Sequence, residues 1–307
     1  MDLTPTREGH YISGLPHFLN ITSLLLTSRI NGIVPVCKQS IIGILGNVNR
    51  YDIAERKMNS KAILQDTLHR TAPMPLGPWV MTQTWHELLF AHWPITAEKL
   101  RPLILPVFTL DTFEGEAWVG VVPFRMSNVR PRGMPPVSGL SAFPELNVRT
   151  YVTMNGIPGV YFFSLDAGNP VAVAMARAVF HLPYFNAVMS CKRVGDTIHY
   201  RSHRIHRGAP NADYVAMYRP VAPVEYASRD TLVYWFTERY CLYTTDRHGK
   251  AFRGDIHHVQ WPLQAAAMEI NKNTMALSHK IELPDTAPLL HYAERQEVLI
   301  WPLKGIS

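Results

Sequence analysis

The chain has 307 residues, of which 47% are hydrophobic and 18% are charged, so it is long enough and apolar enough to bury a full core. Because a domain usually takes about 100–200 residues, we expect one large domain with an extension. The three cysteines, Cys37, Cys191 and Cys241, are widely spaced and form no CxxC pair. This pattern excludes a small disulfide scaffold and predicts a cytoplasmic protein with reduced thiols.

The net charge of +6 raises the question of a nucleic-acid partner. Binding a phosphate backbone needs basic residues in a stripe, whereas here they are scattered apart from a group at 201–207. Residues 18–46 are the most apolar part of the N-terminus, but Arg29, Pro35 and Lys38 interrupt them. A membrane-spanning helix needs about 20 predominantly apolar residues. We therefore expect neither a nucleic-acid nor a membrane partner.

The first 72 residues differ from the rest because they show no clear strand alternation. A short helix is predicted within residues 59–70, beginning near Ser60. Three interpretations compete for residues 1–72: a poorly ordered tail, a partner-binding extension, or upstream sequence included by a wrongly chosen start. We favour the tail or the start-site interpretation, and we place a single domain at residues 73–307.

The next segments carry clear strand and loop signals. Residues 81–95 are predicted as an aromatic-rich strand, and residues 96–104 as a helix with Thr96 at its N-cap. Residues 105–129 read as two strands, followed by a long irregular loop over 130–144 that is rich in Pro and Gly.

Residues 145–187 combine an alternating strand, an Asn-Gly turn, a second strand and a small-residue helix over 170–181. The predicted elements after this segment are a hairpin over 187–206, a helix over 227–240, a hairpin over 241–261, a short helix over 261–270 and a strand over 298–303. Strands dominate, with few helices between them. The order predicts an α+β fold with a mostly antiparallel, barrel-like β-sheet and a few packed helices.

Three polar residues, Glu145, Asn147 and Arg149, recur at a spacing of two, so they face the same side of their strand. If that side is solvated, they are ordinary surface residues. If it faces an interior, they form a buried polar group, which is costly unless hydrogen-bonded and therefore marks a candidate site.

The helix over 170–181 has one charged residue, Arg177, on an otherwise apolar surface. In one interpretation its stem packs while its head reaches water or pairs with a structural carboxylate such as Asp166. In the other, it binds the carboxylate of a ligand.

From Pro78-Trp79 onward, the aromatic segment at 85–93 and the segment at 145–187 resemble the YqjF-like family (DUF2071) of uncharacterised bacterial proteins, which is related to acetoacetate decarboxylase. The resemblance implies the acetoacetate decarboxylase-like fold, with Glu145 at the position of the active-site Glu and Arg177 at that of the helix Arg. The two lysines of the decarboxylase motif are replaced by Tyr184 and Phe185. Without the amine, imine chemistry is not possible at this position.

The candidate site therefore has two kinds of residue. We expect Glu145 and Tyr184 to be catalytic if the protein is an enzyme. The predicted ligand-binding residues are Asn147, Arg149, Arg177, Asn186, Trp85 and His92.

Three hypotheses remain open. The protein binds a small polar metabolite, a carboxylate or carbonyl compound, without imine chemistry. Alternatively, it is a lyase or acid–base enzyme that acts on a small oxo-acid with Glu145, Arg177 and Tyr184, or it is a structural or partner-binding protein. The histidines lack metal-ligand spacing, and the sequence lacks nucleotide, dinucleotide and hydrolase-elbow motifs. We expect no metal and no cofactor, and a homo-oligomer remains open.

Overall fold

The computed structural model describes residues 59–306, and β-strands make up most of them. In chain order the strands are β1 (Met81–Ile95), β2 (Thr109–Leu110), β3 (Ala117–Pro131), β4 (Phe143–Met154), β5 (Ile157–Ala167), β6 (Tyr184–Val194), β7 (Thr197–Arg204), β8 (Asp213–Pro220), β9 (Cys241–Thr245), β10 (Ala251–His257), β11 (Gln264–Asn273) and β12 (Leu289–Gly305).

The helices of this part of the chain are short, and in chain order they are α1 (Ser60–Gln65), α2 (Ala97–Leu100), α3 (Pro170–Val179) and α4 (Leu232–Thr237). Asn59 caps α1, Asn169 caps α3 and Thr231 caps α4, each through a side-chain oxygen that accepts from a backbone N–H. Single 3-10 turns follow α2 and β11. None of the helices within residues 59–306 has the length and apolar character of a membrane span.

The strands pair antiparallel, except that β5 runs parallel to both β6 and β9. Their pairings form two closed circuits. One consists of β12, β1, β3, β4, β5, β9 and β10. The other runs from β5 through β6, β7, β8 and β11 to β12 and returns to β5 through β1, β3 and β4. We call the strands β1, β3 and β4, which both circuits contain, the shared wall. The mostly antiparallel sheet with few helices that the sequence predicts is confirmed.

Each strand of the shared wall presents alternate side chains to two different interiors. On the side that faces β7, β8 and β11, residues such as Leu89, Val121 and Leu146 pack with Tyr200 and Tyr218 into a continuous core. We call this the packed side. The opposite side, which faces β9 and β10, we call the cavity side.

A bulge in β1 sets which residues reach the cavity side. The pairing of β1 with β3 shifts register between His86 and Ala91, and Glu87 has a φ of 53°. An extra residue in a strand reverses the alternation beyond it. Trp85 before the bulge and Phe90 after it therefore both face the cavity side.

The predicted helix over 261–270 is wrong, because Gln264–Asn273 forms β11. This strand pairs with β8, where Met268 lies opposite Tyr218. Ala266 and Met268 contact the core, whereas the alternate residues Ala265, Ala267 and Glu269 are exposed. The alanine-rich composition favours a helix, but the core contact and the ladder with β8 outweigh that preference.

The described part of the predicted N-terminal extension, residues 59–72, contacts the strands. Ile63 is buried against Leu299 and Trp301, and its carbonyl oxygen lies 2.7 Å from Nε2 of His257. The rest of the predicted extension, residues 1–58, lies outside the described residues, and its role stays a prediction.

Candidate functional site

A cavity of about 390 Å³ lies on the cavity side of the shared wall. It is bounded by β1, β3, β4, β5, β9, β10, β12 and the start of β6, together with α3, α4 and the loop over 132–142. Most of the lining is apolar. Within the described residues, Glu145 is the single acidic side chain of the lining and no lysine contributes to it.

Glu145 is 3% exposed, and its carboxyl Oε2 accepts a hydrogen bond of 2.7 Å from the Tyr184 hydroxyl. Burial raises the pKa of Glu145 to about 8; the Tyr184 hydrogen bond opposes this rise and the nearby Asp166 adds to it. The carboxyl group is therefore mostly protonated at neutral pH, so it can donate a proton or a hydrogen bond inside the cavity.

Tyr184 is the first residue of β6 and follows directly after Pro183. Burial and the Glu145 carboxyl raise the pKa of Tyr184 well above its usual value, so its hydroxyl remains a donor. Phe185 does not line the cavity; its ring lies 4.2 Å from the guanidinium carbon of Arg204. Strand alternation thus brings one residue of the Tyr184-Phe185 pair into the cavity and not the other.

Asn147 and Arg149 continue the row that begins at Glu145, and all three line the cavity as the spacing predicts. Asn147 is buried, and its Oδ1 has no hydrogen-bond partner in the described residues. An unpartnered amide oxygen in such a position is costly, and a ligand that donates a hydrogen bond would satisfy it.

Arg149 carries a positive charge without a neutralising carboxylate. Its Nη2 donates to the Tyr151 hydroxyl at 3.4 Å, and its guanidinium carbon lies 5.1 Å from the Phe90 ring centre. Among residues 59–306 no Asp or Glu forms an ion pair with it. This guanidinium is free to bind a carboxylate from a ligand.

Arg239, just after α4, is a cavity residue that the sequence analysis missed. It is buried, and its Nη1 pairs with Asp111 at 2.5 Å while its Nε donates to the Trp235 carbonyl oxygen at 2.6 Å. Asp111 therefore neutralises this arginine. The sequence places Arg239 at the end of a predicted helix, but nothing in its spacing relates it to strand β4.

Trp85 lines the cavity, as the aromatic segment suggests. Its indole Nε1 donates to Gln83 Oε1 at 2.8 Å, and its ring packs against Phe124 and Trp261. It forms part of the apolar wall.

Arg177 and Asn186 do not line the cavity. They lie with His206 at a separate shallow depression beside α3. The Arg177 guanidinium is exposed, and its Nη1 donates to the Tyr184 carbonyl oxygen at 2.7 Å. Of the two placements that the sequence left open for its head, the exposed one is found; Asp166 instead accepts hydrogen bonds from Arg204 at 2.6 and 2.8 Å.

His92 is fully buried behind the cavity wall rather than in the lining. Its ring stacks on Phe236 with centroids 3.8 Å apart, and its Nε2 lies 2.5 Å from the Tyr151 hydroxyl oxygen. Burial, and then the charge of Arg149, lower the pKa of His92 well below its usual value, so the ring is neutral. His92 therefore packs against Phe236 and fixes the position of the Tyr151 hydroxyl.

One group in the described part of the chain has the residue types and proximity of a metal site: His69, Glu238 and His258, with ligand atoms within 4.8 Å of one another. These side chains already have protein partners. His69 Nε2 lies 2.8 Å from the His258 carbonyl oxygen, and Glu238 accepts hydrogen bonds from the Tyr240 hydroxyl and the Trp261 backbone N–H. The contacts join residues 66–72 to the strands, and the expectation of no metal stays a prediction.

Comparison with known proteins agrees with this architecture. The profile of the DUF2071 family, described as an uncharacterized conserved protein, matches residues 82–297. The chain is 51% identical to the uncharacterized protein YqjF of Bacillus subtilis (strain 168) over 234 residues, which is 76% of this chain and 96% of YqjF.

Two solved structures share the fold at low sequence identity. Acetoacetate decarboxylase from Legionella pneumophila superposes with a TM-score of 0.52 at 12% identity, covering 80% of this chain and 95% of that protein. The enduracididine biosynthesis enzyme MppR, complexed with pyruvate, gives a TM-score of 0.51 at 10% identity, covering 77% of this chain and 93% of its own. The chain therefore belongs to the DUF2071 family and has an acetoacetate decarboxylase-like fold.

Proposed function

We propose that this protein binds a small carboxylate or carbonyl metabolite in the cavity on the cavity side of the shared wall, without imine chemistry. The observation that carries the proposal is the presence of two groups in one mostly apolar cavity. These are Arg149, whose charge no carboxylate of residues 59–306 neutralises, and Glu145, whose pKa is raised to about 8.

Each group suits one part of such a ligand. Arg149 attracts a carboxylate, and its planar guanidinium can bind both carboxylate oxygens at once. The protonated Glu145 and Asn147 offer hydrogen bonds to a carbonyl or hydroxyl group. A largely apolar pocket with a few convergent polar groups and a shifted pKa is typical of a small-molecule site.

Two further observations support the proposal. No lysine of the described residues lines the cavity, which agrees with a pocket that does not form an imine. MppR, which shares the fold, is described in complex with pyruvate, an oxo-acid. Cys191 and Cys241 are free thiols, and we propose a cytoplasmic location on that basis.

A thermal-shift screen of oxo-acids and small carboxylates tests the binding proposal, because a ligand bound only by the folded state raises the melting temperature. The variants are Arg149→Met, which removes the free charge, and Glu145→Gln, which keeps shape and neutrality. Arg177→Met is the matched control, since it removes an arginine outside the cavity. We expect hits that Arg149→Met abolishes and Arg177→Met retains.

Loss of the same hits in both arginine variants, or the absence of any hit with all variants folded, would contradict a ligand site at Arg149. The second outcome would favour the remaining hypothesis, in which the charges have a structural role.

An acid–base enzyme is the second candidate function, and the contact between Glu145 and Tyr184 favours it. A carboxyl group with a pKa of about 8 exchanges protons readily near neutral pH. We expect the protein to accelerate the replacement by deuterium of the hydrogens on the carbon next to the carbonyl of a bound oxo-acid. Proton NMR in D₂O measures this exchange. Glu145→Gln should abolish this exchange while binding remains, and equal exchange in the variant would exclude the role.

A further inference from the structure

We infer that the ligand is an amphiphile, with a carboxylate head and an apolar alkyl or aryl body larger than a three- or four-carbon oxo-acid. This inference rests on the proposed function and specifies its substrate class. It comes from the size of the cavity, its walls, its mouth and the row of polar groups along β4.

The cavity is larger than a small oxo-acid needs. An apolar cavity of about 150 Å³ holds benzene, and pyruvate has no more non-hydrogen atoms than benzene. The cavity here is about 390 Å³, within the range of about 300–1,000 Å³ typical of pockets for much larger ligands. A small oxo-acid would leave most of this volume unfilled.

The walls around the polar row are apolar. Strands β1, β3 and β5 present hydrophobic side chains to the cavity, among them Leu88, Phe90, Val122, Phe124 and Leu165. Water in contact with such walls gains little from them, whereas an alkyl or aryl group gains about 25 cal/mol for each Å² that it removes from water.

The mouth of the cavity has exposed apolar side chains beside Arg130, whose Nη1 donates to the Met134 carbonyl oxygen. Met134 and Val137 in the loop over 132–142 and Met175 in α3 line the cavity, yet they are 53%, 51% and 60% exposed. Adjacent exposed apolar side chains at the rim of a pocket mark a binding surface. They offer a path for an apolar body from the solvent into the cavity.

The polar groups lie in a row rather than around one point. Glu145 and Arg149 are four residues apart on β4, so their Cα atoms are about 13 Å apart at roughly 3.3 Å per residue. The Arg149 guanidinium lies near Phe90 and Tyr151, whereas the Glu145 carboxyl lies at Tyr184. A ligand with its carboxylate at Arg149, a carbonyl or hydroxyl group beside Asn147 and Glu145, and its apolar body beyond them toward the mouth uses the whole row.

Isothermal titration calorimetry with straight-chain carboxylates from butanoate to dodecanoate tests this inference. Each added methylene group should tighten binding about fourfold, the value for a buried methylene group, until the chain fills the cavity and the dissociation constant stops falling. The stoichiometry should stay at one ligand per chain. Arg149→Met should weaken every member of the series.

A matched pair of variants on α3 tests the path through the mouth. Met175→Glu puts a charge on a residue that lines the mouth, and Val179→Glu puts one on an exposed residue of the same helix outside the cavity. Met175→Glu should weaken decanoate at least tenfold and leave butanoate within twofold. Val179→Glu should leave both unchanged.

The outcomes separate the two proposals. A dissociation constant that does not change with chain length, while Arg149→Met still abolishes binding, overturns the amphiphile and leaves the proposed function standing. Equal effects of the two α3 variants on decanoate overturn the path through the mouth. If no carboxylate binds in an Arg149-dependent way, the proposed function fails, and the amphiphile fails with it.

Discussion

On the packed side, the carboxylate of Asp166, a residue of β5, accepts two hydrogen bonds from Arg204, and both side chains are almost fully buried. On the cavity side, Glu145 is also almost fully buried, but among the described residues its side chain has only the Tyr184 hydroxyl as partner. The two acids are close along the ladder, since Leu146 pairs with Asp166 and Glu145 with Ala167. Alternation sends their side chains to opposite sides of the wall.

The difference lies in how each acid is compensated. Burial raises the pKa of both groups, but at Asp166 the hydrogen bonds and charge of Arg204 oppose this effect. Glu145 has no cationic partner in the described residues, and its pKa rises to about 8. Arg204 holds the charge of Asp166 in the core, whereas Glu145 keeps an exchangeable proton beside the cavity. The presence or absence of a cationic partner therefore distinguishes the structural acid from the candidate functional one.

The largest expected effect comes from breaking the compensated pair. Arg204→Met leaves the Asp166 carboxylate buried without its cation, and we expect unfolding to require about 3–5 kcal/mol less free energy. Urea denaturation at pH 7 measures this loss. Adding Asp166→Leu to Arg204→Met should recover much of it, and a loss below about 1 kcal/mol would show that the pair is not a structural requirement.

The second largest expected effect is a pH dependence of the free energy of unfolding, which is caused by Glu145. The pKa of Glu145 is about 8 in the folded state, against an ordinary value of 4.5 that applies to the unfolded chain. Between these two pH values the folded state therefore binds more protons than the unfolded state. Stability from this group is therefore full below pH 4.5 and falls as the pH rises through 8, by at most about 1.4 kcal/mol per pH unit.

Urea denaturation of wild type and Glu145→Gln at several pH values between 4.5 and 8 checks this slope. The difference between the two proteins isolates Glu145 from Asp166 and the histidines. Parallel curves for the two proteins would mean that Glu145 titrates normally and that the comparison between the two acids fails.

A smaller effect is expected from Tyr184→Phe, which removes the hydroxyl that bonds to Glu145 Oε2. A lost hydrogen bond of this kind costs about 1 kcal/mol. Because that bond lowers the pKa of Glu145, its removal should shift the upper end of the pH slope to higher pH. Tyr161→Phe, a tyrosine without an acidic partner in the described residues, is the control, and an equal shift in both variants would contradict the assignment.

In the last prediction, borohydride trapping of an imine on the protein, we expect no effect. Since no lysine of residues 59–306 lines the cavity, borohydride added with an oxo-acid should trap no adduct on the protein. Mass spectrometry of the intact chain measures this. An adduct located on any lysine by peptide mapping would show that imine chemistry takes place after all.

Part of this arrangement was accessible from the sequence. The spacing of two in Glu145, Asn147 and Arg149 correctly predicts that they share one side of a strand, since the period of a strand is fixed by its geometry. Periodicity does not say which interior that side faces. The bulges in β1 and between β4 and β5 change the alternation, and only the pairing of distant strands reveals them.

Other features depend on contacts between distant parts of the chain. The isolation of Arg177 on an apolar helix does not say which way its head points, and the structure places it outside the cavity with its Nη1 on the Tyr184 carbonyl oxygen. Arg239 was missed because it reaches the cavity from the segment just after α4, far along the chain from β4. The helix predicted over 261–270 failed because neighbouring strands decide the conformation of a short alanine-rich segment. Local pattern does not contain these long-range contacts.

The shared wall also has a consequence for how the protein can change over time. Because its strands give one set of alternate side chains to each side, the residues that line the cavity are different from the residues of the packed side. A substitution at Asn147 alters the cavity without changing the side chains of Leu146 or Val121, which pack on the other side. The polar row of such a pocket can therefore diverge among relatives while the core of the packed side stays under separate selection.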